Sequence, residues 1–163
     1  MMIVEDYSVT PLLHNRPLLV EGADAQSLAP LVSAQDVLSA LYDRPVADHP
    51  IVRWARLLAD VHRTNRPACG HDLVHEIDVW IELHVPQHRQ GAALHTETLG
   101  SVIDRIVVAQ ARVTDALAAQ ECVDTIRVHA AWHRLAELVD SYNDLVREVL
   151  HGTRRLPSPA GEQ

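Results

Sequence analysis

From Thr96 to about Ala119 the apolar residues Leu99, Val102, Ile103, Ile106, Val113 and Leu117 keep a helical period with one apolar face for over 20 residues. A second long pattern runs from Glu121 to His151 through Leu135, Leu138, Tyr142, Leu145 and Val149, with Gly152 placed as a C-terminal cap. Unbroken, it would reach about 45 Å at ~1.5 Å of rise per residue, so a bend or a division into two helices is expected. Upstream, Ile51, Trp54, Ala55, Leu58 and Val61 follow Asp48-His49-Pro50, whose proline suits a first helical turn, and this helix should stop near Asn65 to Pro67. The stretch His71 to Val85, between the breaker Pro67-Ala68-Cys69-Gly70 and Pro86, is helical by length and pattern. Ser33 and Asp36 resemble a capping box, and with Val37, Leu38, Leu41 and Tyr42 they predict a shorter helix over about 25–43.

The first ~23 residues hold Pro11, Pro17 and Gly22 between short apolar runs, which suits an extended arm lying on the domain. No strand alternation, repeat or low-complexity tract competes with the helices. The prediction is an all-α fold: a mostly antiparallel bundle of about five helices with an irregular N-terminal arm over 1–23, a helical domain over 24–156 and a flexible tail over 157–163.

Composition narrows what such a bundle does. At 163 residues, 47% hydrophobic, the chain has the size of one domain, and no apolar run approaches the ~20 residues of a membrane span. The start, MMIVEDYSVT, lacks the basic and apolar regions of a secretory signal, so a cytoplasmic location and no membrane partner are expected. A net charge of −8 opposes a nucleic-acid partner. All 14 basic residues are arginine, which excludes a Schiff-base lysine and a P-loop lysine, and with them pyridoxal-phosphate and P-loop chemistry. Cys69 and Cys122 belong to no C-x-x-C pattern and read as free thiols in buried structural roles. Phenylalanine is absent, whereas 11 histidines supply proton-transfer and metal-ligating capacity.

Two constellations use that capacity. His71, His75, Asp78 and Glu82 fall at offsets 0, 4, 7 and 11, one stripe of a helix. It is either a solvated face opposite Leu73, Ile77 and Trp80 or the wall of a polar pocket. Glu97, Ser101 and Asp104 form another stripe, with Arg105 beside it and Gly100 in the first turn, where glycine often marks close approach by a backbone or ligand. Thr96 or Thr98 can cap this helix and Glu97 suits its positive end, so helix structure accounts for part of that polarity. Asp72 with His75, and Glu148 with His151, have the carboxylate-x-x-His spacing of di-metal bundles, a spacing that chance also produces in a histidine-rich acidic chain. His129 with His133 and His84 with His88 read as ordinary hydrogen-bonded or exposed side chains.

The run Leu94-His95-Thr96-Glu97-Thr98-Leu99-Gly100-Ser101-Val102-Ile103-Asp104-Arg105 resembles the S/T-E-T-x-G-S-x-I-D-R signature of a bacterial family called domain of unknown function 4254. Asp72 through Asp78 resembles its N-D-L-V-E-x-I-D stretch, and Arg134-Leu135 through Asn143-Asp144-Leu145 to Gly152 through Leu156 resembles its closing helix. By that resemblance Asp72, Asp78, Glu97, Asp104 and Arg105 are the family-like polar positions of an all-α enzyme or binding domain without an assigned activity. The chain departs from the family around Arg63 to Arg66, at His75, where the family has an acid, and in lacking a Lys-Met-Tyr-Asn end.

The first functional reading is an enzyme acting on a small polar metabolite between the two stripes. His75, Asp78, Glu97 and Asp104 are its candidate catalytic residues: His75 as proton carrier, Glu97 and Asp104 as bases or metal ligands. Arg105, with His71 and Ser101, would hold the substrate, and His71, His75, Asp78 and Glu97 are candidate ligands if a divalent or iron ion takes part. The alternatives are a non-catalytic homo-oligomer or accessory subunit of a biosynthetic partner, suggested by the long apolar helix and many alanines, and a ligand sensor.

Overall fold

The computed structural model describes residues 29–64, 66–119 and 125–159. Among them five helices carry the fold: α1 (Ala34–Leu41), α2 (Pro50–Arg63), α3 (Pro67–His84), α4 (Leu99–Ala118) and α5 (Thr125–Leu150). Two two-residue strands, β1 (Ala93–Leu94) and β2 (Arg154–Arg155), complete it. The all-α reading holds, and the arm over 1–23 lies outside the described residues.

Helices α1 to α4 start where a side chain or a proline disposes of orphan backbone donors. Ser33 and Asp36 form a reciprocal capping box on α1. Proline opens both α2 and α3, where its missing N–H is no loss, and on α2 His49 Nδ1 accepts from the N–H of Ile51 at 3.2 Å. Pro67, expected to break the chain, therefore begins α3, four residues before the predicted start. Cys69, expected to be buried, falls in this first turn and is exposed. α1 begins only at its Ser33 cap, so the described part of the predicted 25–43 helix is shorter than expected.

α4 is the central helix and packs on α1, α2, α3 and α5. Its fully covered residues Leu99, Ile103, Ile106 and Val107 meet Val37, Ile51, Leu58 and Ile77 in one core. α5 runs opposite to it, since Leu99 shares a cavity with Val149, and Val102 shares another with Leu145. Tyr142, fully buried on α5, donates its hydroxyl hydrogen to the Val32 carbonyl at 3.0 Å, and Asn143 Oδ1 accepts from the Ala34 N–H at 3.0 Å. These two bonds fix the approach to α1.

The core ends before the α4–α5 hairpin does. Beyond Val113 on α4 and before Leu135 on α5 no described residue is buried, so Leu117, expected in the core, is 53% exposed. At its other end α5 closes in a Schellman motif: the Thr153 N–H donates to Glu148 O and the Gly152 N–H to Val149 O, with Gly152 at φ +71°. The chain then returns as β2, parallel to β1, pairing Ala93 with Arg154 and Leu94 with Arg155. This small pairing is absent from the predicted elements because two residues are too few to show alternation. Beyond it Leu156 packs on the core and the Ser158 hydroxyl donates to Glu82 Oε1 at 3.0 Å, so the start of the expected tail lies against α3. Among the described residues no helix is long and apolar enough to cross a membrane.

Candidate functional site

The N-terminus of α4 organises most of the predicted site residues. Thr98 caps it, its Oγ1 accepting from the Ser101 N–H at 3.2 Å and lying 2.9 Å from Ser101 Oγ. Asp78 reaches it from α3 and accepts from the Gly100 N–H at 2.7 Å. A carboxylate here meets the positive end of the helix dipole and satisfies an orphan donor. Asp78 is buried, and desolvation raises its carboxyl above the ordinary range, opposed by hydrogen bonds from Thr98 and Gly100 and by the charge of His75.

Gly100 makes this contact geometrically accessible. A Cβ there would lie 2.7 Å from Asp78 Oδ1 and 2.7 Å from the Val74 carbonyl oxygen. The close approach anticipated at this glycine is by the α3 backbone.

Glu97 and Arg105 face the other way, toward α5. Arg105 Nη1 donates to both Glu97 oxygens, at 2.8 and 2.7 Å, while each side chain keeps about two-fifths exposure, 42% and 39%. The pair lines a cavity of about 570 Å³ with Arg134, Glu137, Asp140 and Ser141 of α5. Val102, Leu138 and Leu145 supply its apolar surface. His95 adds a wall and holds the loop, its Nδ1 lying 2.8 Å from the Glu97 carbonyl oxygen. Arg134 and Glu137 make only a loose contact, 3.4 Å, on one face of α5. Two guanidiniums and three carboxylates thus line one opening, which suits a ligand bearing an anionic group together with hydroxyl or amino groups.

The other candidates go elsewhere. Asp104 turns to α2, where its Oδ1 accepts from His62 Nε2 at 2.6 Å. His71 and His75 lie exposed on α3, as does Glu82. The α3 stripe is therefore divided, with Asp78 buried under α4 and its other members at the surface. The Glu97–Ser101–Asp104 stripe dissolves because Glu97 precedes the Thr98 cap and is outside the helical period. Among the described residues no three His, Cys, Asp or Glu side chains are grouped so as to hold a metal ion, and the proposed ligands His71, His75, Asp78 and Glu97 are not brought together. Nor is the Glu148–His151 pair: Glu148 accepts from Arg154 Nε at 2.8 Å, and His151 Nδ1 lies 2.6 Å from the Arg147 carbonyl oxygen.

Sequence reasoning missed His62 and the α5 residues Glu137, Asp140 and Ser141. Arg134, Glu137 and Ser141 recur at offsets 0, 3 and 7, a polar stripe legible in spacing, but nothing in the chain ties it to Arg105 before the helices pack.

A family model described as protein of unknown function (DUF4254) matches residues 40–158. No curated protein and no solved structure matches the chain.

Proposed function

The chain belongs to the DUF4254 family, and on that footing we propose that it is an enzyme binding a small polar, anionic metabolite in the α4–α5 cavity. The observation that carries the reading is the Glu97–Arg105 pair set in a cavity with Arg134, Glu137, Asp140 and Ser141. Arg105, already oriented by Glu97 through a single Nη, keeps its remaining N–H donors for a carboxylate or phosphate. Arg134 adds a second cation. Asp140 and Ser141 read the ligand's hydroxyl or amino groups, and Glu97, released as the ligand takes over Arg105, accepts a proton from one of the ligand's hydroxyl groups. Asp78 holds the α4 N-terminus in place, a positioning role, and His75 stays outside the cavity.

The test is a metabolite panel scored by thermal shift, with turnover of the binders followed by proton NMR. Arg105→Gln should abolish binding of the anionic hits, and Glu97→Gln should retain binding while losing turnover. Hits that bind Arg105→Gln unchanged would sink the site; binding without turnover in the wild type would leave a sensor in place of an enzyme.

A second reading, self-association, has its own support. On the hairpin beyond the core Ile126 is 81%, Leu117 53% and Trp132 46% exposed, an apolar display that a helix-to-helix contact between copies would cover. Light scattering of the wild type and Ile126→Asp decides it: a dimer that the substitution dissociates favours an oligomer, and a monomer in both removes the reading.

A further inference from the structure

A second cavity lies at the opposite end of α5, where the α3 C-terminus, the 86–88 loop and the two short strands meet. It measures about 880 Å³, within the usual range of ligand cavities. Its apolar lining comes from Ile81, Val85, Leu94, Leu99, Val149 and Leu156. Most of these belong to the core's margin, but Leu94 is 50% exposed.

The charges around it are unequal in how they are engaged. Arg154 is neutralised by Glu148 at 2.8 Å. Asp78 is committed to the α4 N-terminus, and Glu82 accepts from Ser158. The Arg155 guanidinium has no hydrogen-bond or ion-pair partner among the described residues, although its backbone is fixed, its carbonyl accepting from the His95 N–H at 2.9 Å. The strand register pairs Leu94 with Arg155. Paired residues of neighbouring strands project to the same side, so an exposed apolar side chain and an unneutralised cation stand together on the wall of one cavity.

We propose that this cavity binds an amphipathic carboxylate: an unbranched apolar chain lies along Leu94, Val85 and Leu156, and its carboxylate is held by Arg155. The site is separate from the α4–α5 cavity and does not depend on the reading given to that one. A bound carboxylate forms charge-assisted hydrogen bonds that an uncharged amide of equal length cannot match.

The test is calorimetric titration of the full chain with decanoate and with decanamide, both below their aggregation concentrations. One decanoate should bind per chain, about tenfold more tightly than decanamide. Arg155→Gln should bring decanoate down to the decanamide level and leave decanamide unchanged. Leu94→Asp should weaken both ligands, and Arg105→Gln should alter neither. Because Arg155 and Leu94 are exposed and their strand pairing is made by the backbone, matched melting curves verify that the variants are folded. Equal affinity for the two ligands, unaltered decanoate binding in Arg155→Gln, or loss of binding in Arg105→Gln would each overturn the proposal, as would the absence of saturable binding.

Discussion

Replacing Gly100 by alanine sets two effects of opposite sign against each other. Helix propensity favours alanine by about 1 kcal/mol in a helix interior, so in the first turn of α4 the gain is at most that. Against it, the new Cβ would stand 2.7 Å from Asp78 Oδ1 and 2.7 Å from the Val74 carbonyl oxygen. The carboxylate can rotate, but Val74 O is backbone inside α3 and cannot yield alone. Overpacking of this kind costs about 1–3 kcal/mol. If α4 instead shifts away, the 2.7 Å bond from Gly100 N–H to Asp78 is lost and a buried carboxylate loses a donor, about 1.5–3 kcal/mol. The clash wins: by either route a net destabilisation of about 0.5–3 kcal/mol is expected, a drop in Tm of roughly 1–12 °C for a domain of this size. Urea and thermal denaturation followed by circular dichroism measure it. Stability equal to or above the wild type would refute the reasoning, since the α3–α4 contact would then not be close enough to require a glycine.

His49 should make the fold acid-sensitive. Its Nδ1 accepts from the Ile51 N–H and its Nε2 faces the Ala29 carbonyl at 3.0 Å, a pattern only the neutral ring satisfies. Burial lowers its pKa below the ordinary 6.5. The folded state thus binds fewer protons, so its contribution is full above the unfolded value and lost as pH falls through the lowered one. Asp78, raised by burial, contributes with the opposite sign, full below the ordinary carboxylate value and lost as pH rises through the raised one. The urea midpoint of the wild type should fall between pH 7.5 and 5.5, and His49→Asn, which keeps a capping side chain, should flatten that slope; an unchanged slope in the variant would exclude His49. The Glu97–Arg105 pair, half exposed on both sides, should contribute no more than about 1 kcal/mol to stability, so Glu97→Gln and Arg105→Gln should melt within a few degrees of the wild type. A larger loss in either would mean that the pair serves the fold.

The helices were legible in the chain because burial on one face imposes a period of three to four, and Leu99, Ile103 and Ile106 cannot all reach a core from any other local structure. The Ser33–Asp36 box and Gly152 marked two ends for equally local reasons: a side chain bonding its own helix, and a positive φ. Helical spacing also brought Asp78, Glu97 and Arg105 to notice, as members or neighbours of two polar stripes. Their assignments depended on neighbours far away in sequence. Asp78 lies under α4 because Gly100 admits α3, Asp104 takes His62 from 42 residues upstream, and Arg105 shares its cavity with α5. Successive residues on a helix point about 100° apart, so Asp104 and Arg105 necessarily face different partners. Which partners those are was decided by the packing of the other four helices on α4, and that packing is what separates the half-exposed Glu97–Arg105 pair from the buried Asp78, which the two stripes had been expected to bring to one pocket.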